Sequence, residues 1–311
     1  MYPLQQLTIL LRGGGDIATG IALRLYRSGF RRILILETAR PLAVRRRVSF
    51  CEAVYEGFCT VEGITAAHAA NLGEVPSLWD AGCIPVLVDT QGINVPLLRP
   101  EIVIEATLAK HNIGVTLADA PLVIGVGPGF TAGKDVHRVV ETNRGSNLGR
   151  VIHVGSAEPD TGIPSTVGGV AVKRVLRAPQ TGMFMTSHDI GDFVHTGDIV
   201  ATVKARGLKV NVCAAINGVL RGLLRTGTPV TQHVKVGDID PRDNIACHLV
   251  SDKAIAIGGG VLEALLERYN RPSLLRGGIL PCGTGRSPPA AAGRPPAGRA
   301  LPGTCRGRAA P

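Results

Sequence analysis

Apolar positions along the first half of the chain fall into blocks with two different periods. Leu7–Leu11 is an apolar run of strand length. The segment after "RGGGD" puts apolar residues at Ile17, Ile21 and Leu25, with Leu23 slightly off the stripe, which is the spacing of one helix face. "RRILILE", ending in Glu37, is a second strand. "CIPVLVD" (Cys83 to Asp89), "EIVIEAT" (Glu101 to Thr107) and Leu122 to Val126 are further continuous apolar runs. Continuous rather than alternating apolarity suits strands buried on both faces of a parallel sheet. "VSFCEAVYEG" and "TVEGITA" read as short strands or as a helical turn around Gly57, and "EVPSLWDAG" as a helix ending at Gly82. The pattern predicts an α/β fold, with a Rossmann-like parallel sheet domain over residues 1–154.

The rhythm then changes. Residues 155–175, with "EPDTGIPSTVGG", form a Gly/Pro-rich linker by composition. After it, Ala178–Val203 and Ala214–Ile239 align at an offset of 36 residues: Ala178 matches Ala214, Gly182 matches Gly218, and Phe184 matches Leu220. Two similar halves of short, glycine-punctuated strands predict a small β-sandwich over 176–250. "AIAIGGGVLEALLERY" over 251–270 repeats the opening logic as strand, three glycines and helix, with Val261, Leu262, Leu265, Leu266 and Tyr269 as the packing stripe.

Composition changes this picture only at the C-terminus. The chain of 311 residues is 45% hydrophobic, which places it in the globular class. Its net charge of +10 invites a nucleic-acid reading, but seven arginines and no acid lie in 271–311, leaving +3 for residues 1–270. That Arg/Pro/Gly-rich tail is expected to be disordered, and without interleaved aromatics it suggests no nucleic-acid partner. With no apolar stretch of about 18 residues and no basic leader ahead of the glycines, a cytoplasmic protein with no membrane partner is expected. Seven cysteines make no CxxC pair, and His188, His195, His233 and His248 with nearby aspartates make no closed ligand set, so no metal site is expected.

The glycines carry the candidate chemistry. Gly13-x-Gly15-x-x-Ala18 between strand and helix matches the GxGxxA pattern of a dinucleotide site. Gly13, Gly14 and Gly15 allow the turn and the close approach of a pyrophosphate, and the helix N-terminus favours an anion. Glu37, at the end of the second strand, sits where an acid accepts ribose hydroxyls. Asp16 places a carboxylate beside the same phosphate site, where it either caps the helix or repels the anion. Arg45, Arg46 and Arg47 form a cationic cluster that suits phosphates or carboxylates, or simply an exposed basic loop. Gly125, Gly127 and Gly129, followed by Thr131, make a second loop able to form an anion-binding nest, or an elaborate turn.

The repeat "A-x-x-x-G" and "V-x-x-G-D-x-V" resembles the lipoyl/biotinyl-carrier family and its barrel-sandwich hybrid. No lysine is centred on the hairpin "VKARGLKVNV", so the resemblance implies architecture and docking rather than a carried prosthetic group. Taken in order, "RGGGDIATGIALRLYRSGF", "ILETARPLAVRRRVSFCEAVYEG", "GVGPGFTAG" with "VVETNRGSNLGRVI", and "AIGGGVLEALLERY" resemble the YqeB-type selenium-dependent molybdenum hydroxylase accessory proteins, similar in role to XdhC-type maturation factors. The resemblance covers about Leu7 to Tyr269. It implies a helper that handles molybdenum cofactor (molybdopterin or its cytosine dinucleotide), or its selenium or sulfur loading, and docks on a client molybdenum hydroxylase. It assigns no catalytic residues. From the residues alone, an NAD-dependent oxidoreductase and a non-catalytic adaptor with structural glycine loops remain as alternatives.

Overall fold

A computed structural model describes residues 4–205, 207–242 and 245–270; the expected tail over 271–311 lies outside the described residues. In chain order the elements are β1 (Thr8–Arg12), α1 (Asp16–Arg27), β2 (Arg32–Glu37), α2 (Ala53–Glu56), β3 (Phe58–Val61), β4 (Ile64–Ala69), α3 (Val75–Asp80), β5 (Ile84–Val88), α4 (Val95–Leu98), β6 (Ile102–Glu105), β7 (Leu122–Val126), β8 (Thr131–Ala132), β9 (Arg138–Val140), β10 (Val151–Ile152) and β11 (Gly155–Ser156). They continue with β12 (Val175–Arg177), β13 (Gly182–Met185), β14 (Phe193–Val194), β15 (Ile199–Ala205), β16 (Leu208–Cys213), β17 (Gly218–Leu223), β18 (Thr228–Val230), β19 (Lys235–Asp240) and α5 (Asp252–Tyr269).

Nine strands form one sheet in the order β10-β9-β7-β6-β1-β2-β5-β4-β3. Its centre is parallel, as the continuous apolar runs demand: Ile9 and Leu11 face one buried layer with α1 and α5, while Leu10 faces a second with Val75, Phe130 and Val136. Both outer edges are antiparallel. β3 and β4 form a hairpin across Glu62 (φ 47°) and Gly63 (φ 82°), the two left-handed positions of a tight primed turn that suits the sheet's twist. The expected Rossmann-like parallel sheet is therefore corrected to a mixed sheet. "TVEGITA" turns the chain straight back on itself instead of crossing over through a helix.

The segment over 251–270, expected as a strand–helix unit of its own after the sandwich, is corrected as well. After residues 175–240 the chain returns, and Ala254, Ile257, Val261 and Leu265 of α5 join the same core as Ile17, Ile21 and Leu25 of α1. The strand expected at "AIAI" is part of this helix, whose N-cap Ser251 accepts a hydrogen bond from the Ala254 N–H at 3.1 Å. Its three glycines form no turn. A Cβ on Gly20 would lie 2.6 Å from Ala254 Cβ, and one on Gly258 would lie 3.0 Å from the Gly20 oxygen, so both helices are glycine-faced where they touch.

Residues 175–240 form two antiparallel four-stranded sheets, β12-β19-β17-β14 and β16-β15-β13-β18. They enclose a core with Phe184, Val203, Leu220 and Ile239. The loop between β2 and α2 joins this layer to the nine-stranded sheet, because Leu223 N–H donates to the Val44 carbonyl at 2.7 Å. That contact holds Arg45 between the two layers.

Candidate functional site

β1 lies between β2 and β6 and is parallel to both, so the chain connections diverge on either side of it and leave a crevice at the carboxyl ends of β1 and β6. Gly13–Asp16 enters this crevice from one strand and Ala106–Leu108 from the other. The resulting cleft has a volume of about 630 Å³, within the range of small-molecule sites.

Each of the three opening glycines has its own reason. Gly13 has φ +92°, and a Cβ there would come within 3.1 Å of Thr107 Cα, so the turn and its packing both require glycine. A Cβ on Gly14 would meet the Cys51 nitrogen at 2.9 Å, and Cys51 N–H donates to the Gly14 carbonyl at 2.9 Å. Gly15 is different: its φ of −67° suits any residue, and an added Cβ meets no atom within 4 Å. Its missing side chain leaves room in the cleft, at the N-cap of α1, where no side chain supplies a cap.

Glu37 lines the cleft but is engaged with the loop. Its carboxylate accepts from Gly14 N–H at 2.7 Å and from Thr38 N–H at 2.8 Å. Burial pushes its carboxyl above the usual range, and those two N–H groups pull it back. Asp16 Oδ1 accepts from Ile17 N–H at 2.9 Å, so it serves the first turn of α1, and Oδ2 lies 3.9 Å from Arg45 Nη1. Cys51 also lines the cleft. Burial, then Glu37, pushes its thiol well above the ordinary value, which keeps it protonated and disfavours thiolate chemistry.

Of the three consecutive arginines, only Arg45 faces the cleft. Arg46 donates through Nε to the Leu223 carbonyl at 2.8 Å and through Nη2 to Asp189 at 2.8 Å, and Arg47 reaches the same carboxylate at 3.1 Å. A tight turn of 3₁₀ helix over Arg46–Val48 splays these neighbours apart, so Arg46 and Arg47 clamp the β layer. Arg45 is 8% exposed; Nη2 donates to the Leu249 carbonyl at 2.9 Å, while Nε and Nη1 have no hydrogen-bond partner. Burial and then Arg221 push this guanidinium below its ordinary value, with Asp16 pulling the other way. Leaving buried charged donors unmatched is costly, and an anion in the cleft relieves that cost.

The loop Gly125, Gly127, Gly129 and Thr131 is not brought to the cleft. A Cβ on Gly125 would strike the Phe130 ring at 2.5 Å. Gly127 packs against Thr142, and Gly129 against the backbone of His111. Thr131 is turned to Ser156, with 3.1 Å between the hydroxyls. These residues shape a turn.

Four cations in and beside the cleft carry no signal in the local sequence. Arg174 pairs with Asp238 and donates to the Ser165 carbonyl at 3.1 Å, and Arg221 Nη1 lies 3.8 Å from Asp240. Lys235, at the start of β19, is 3.6 Å from Asp238, and Lys253 comes from the first turn of α5. Taken together the lining holds seven Arg or Lys residues against Asp16, Glu37 and Asp238, a balance that favours anions. Burial holds both lysines below the ordinary value, with Asp238 opposing it at Lys235, and Lys110 and Arg144 adding to it at Lys253. An anion binds the protonated ammonium. Affinity for a phosphate ligand is therefore expected to fall as pH rises toward the ordinary lysine value of about 10.4, beginning earlier than an unperturbed lysine would give. Calorimetric titration over that rise in pH in non-binding buffers checks this; constant affinity contradicts it.

Among the described residues, no group of three His, Cys, Asp or Glu side chains comes together to hold a metal ion, and no helix is long and apolar enough to cross a membrane. The chain is similar to a protein of Escherichia coli (strain K12) named YqeB. The two are 46% identical over 266 residues, covering 85% of this chain and 48% of YqeB, an uncharacterized protein. The chain thus spans about half the length of that relative. No family model matches.

Solved structures align only loosely. An aspartoacylase family protein of Mesorhizobium loti is 16% identical, covering 77% of this chain and 87% of that one, with a TM-score of 0.27. TcdA (CsdL) is 9% identical, covering 86% and 90%, with a TM-score of 0.29. At such scores the likeness carries no argument about fold or activity.

Proposed function

We propose that the chain is an accessory factor for a selenium-dependent molybdenum hydroxylase, and that it holds molybdenum cofactor by its phosphate end in the cleft beside Gly15. The observation that carries the reading is the buried Arg45 guanidinium, with Nε and Nη1 unmatched, next to a glycine whose side-chain space is open. Molybdopterin and its cytosine dinucleotide carry phosphate, which suits the buried Arg45 guanidinium and the half-buried ammonium groups of Lys235 and Lys253. The biological setting is what the resemblance of the four motifs to YqeB-type accessory proteins implies.

In this reading Arg45, Lys235 and Lys253 bind and orient the phosphate end, and Gly15 admits it. Glu37 holds the Gly14 amide so that the loop keeps its shape. The protonated Cys51 thiol favours carriage or protection of the cofactor over cysteine-based sulfur or selenium loading. The β layer, with Phe193, Ile199 and Leu208 exposed, is the part offered to the client hydroxylase. A nicotinamide dinucleotide is the second reading. It is favoured by Glu37 at the end of β2 and disfavoured because both carboxylate oxygens already accept from the loop.

The test is to mix purified protein with molybdenum cofactor released from a heat-treated hydroxylase, and with NAD, and follow co-elution and pterin fluorescence. Cofactor retention is expected; retention of NAD alone moves the chain to the second reading, and retention of neither overturns both. Gly15→Val is expected to weaken cofactor binding about tenfold or more. The open space and permissive φ limit its cost to folding to roughly 1 kcal/mol, the usual scale of an N-cap change. Unaltered binding by a folded Gly15→Val variant would remove the glycine turn from the site.

A further inference from the structure

We propose that the cleft is bipartite and selects a ligand with two adjacent anionic groups, a diphosphate; this rests on the reading of the cleft as a phosphate site. Next to the glycine lobe lies a second lobe of about 260 Å³, lined by Arg144, Ser165, Arg174, Arg221 and Lys253. The two lobes share Asp16, Ile17, Arg45, Leu108 and Lys235, so they are contiguous.

Most carboxylates around the second lobe are already engaged. Asp238 is taken by Arg174 and Lys235, Asp240 by Arg242 at 2.8 Å, and Asp252 by Arg144 at 2.6 and 2.8 Å. Of the two acids that act on Lys253, Asp160 is paired with Lys110 at 2.9 Å and Asp16 serves the α1 amide. Arg221 Nε is buried without a hydrogen-bond partner, as are Arg45 Nε and Nη1, the last lying 3.9 Å from Asp16 Oδ2. The second lobe thus has cationic donors in excess of its acceptors.

Arg45 decides the number of anions. Nε and Nη1 do not share an edge of the planar guanidinium, because the side chain's own Cδ lies between them, so one phosphate cannot take both as a fork. Two anionic groups can, one in each of the two lobes that Arg45 lines. Since a single guanidinium serves both, the groups must be close neighbours, as the two phosphates of a diphosphate are.

Calorimetry on the full chain with inorganic phosphate and inorganic pyrophosphate as probes tests this. Pyrophosphate is expected to bind at least about 30-fold more tightly than phosphate, the gain from a second set of charge-assisted contacts. Lys253→Met is expected to lower pyrophosphate affinity about tenfold and phosphate affinity by a clearly smaller factor, with circular dichroism and thermal melting confirming the fold. Equal affinities for the two probes, or an equal loss of both in Lys253→Met, overturn the two-lobe proposal and leave the single phosphate site standing. Binding of neither probe overturns the phosphate site itself.

Discussion

Replacing Arg45 with methionine is expected to weaken binding of molybdenum cofactor, or of pyrophosphate as its surrogate, roughly 30-fold or more, while the empty protein melts within about 3 °C of the parent. The affinity loss follows from removing a desolvated guanidinium that faces the anion, a truncation worth about 2–5 kcal/mol in comparable buried charge pairs. The small effect on melting follows from what Arg45 does without ligand. It is 8% exposed, leaves Nε and Nη1 unmatched, and gains only a bond to the Leu249 carbonyl and a 3.9 Å approach to Asp16. Methionine fills similar space with no charge to desolvate, and such exchanges at buried ionic sites are often neutral or stabilising. Titration of both proteins, with melting curves in the same buffer, checks the pair of statements. If the variant binds as tightly as the parent, the anion sits elsewhere; if it loses binding only because it unfolds, Arg45 is structural.

The second large effect concerns α5. Gly260→Ala is expected to destabilise the chain by about 2 kcal/mol and lower its melting temperature by roughly 4–8 °C, whereas Gly259→Ala, one residue away, is expected to raise it by roughly 2 °C. A Cβ on Gly260 would press on the Gly149 carbonyl and approach Val140 Cγ1 to 2.9 Å, and a backbone oxygen cannot rotate aside. The helix propensity gained, about 1 kcal/mol, offsets only part of that. A Cβ on Gly259 meets nothing within 4 Å, so only the propensity gain is left. Differential scanning calorimetry of the two variants gives opposite signs if α5 packs as described. The same sign in both would show that the glycines do not mark the contact face.

Two triple glycines look alike in the sequence and do opposite things. At Gly13–Gly15 the local signals agree, since an apolar strand precedes them and a helix stripe follows, and the turn is where the pattern puts it. At Gly258–Gly260 the apolar "AIAI" ahead of them satisfies strand and buried helix equally, and periodicity over four residues cannot separate the two. Close approach to Gly20 and Gly149 decides it, and that contact joins positions far apart in sequence. The edges of the sheet were hidden for a similar reason, because strand length is visible locally and strand direction depends on whether a connection is a hairpin or a crossover.

The candidate site divides along the same line. Gly13, Gly14, Gly15, Asp16, Glu37 and Arg45 are legible because they flank one strand–turn–helix unit and the strand beside it. Arg46 looks equivalent to Arg45 in sequence, and only its bonds to Leu223 and Asp189 remove it from the cleft. Gly125, Gly127, Gly129 and Thr131 have the composition of an anion nest, but Phe130, Thr142 and His111 occupy the space that such a nest needs.

By itself the sequence determined the buried parallel centre of the sheet, the glycine turn at its edge and the 36-residue repeat, because each is written in spacing that the backbone reads locally. Only the tertiary structure decided that α5 returns to the first core, that Arg45 is the one buried arginine of its trio facing the cleft, and that Lys235 and Lys253 join it. The physical reason is that cores and cationic clefts are assembled by contacts between distant segments, whose energy depends on burial and geometry and leaves no trace in local periodicity.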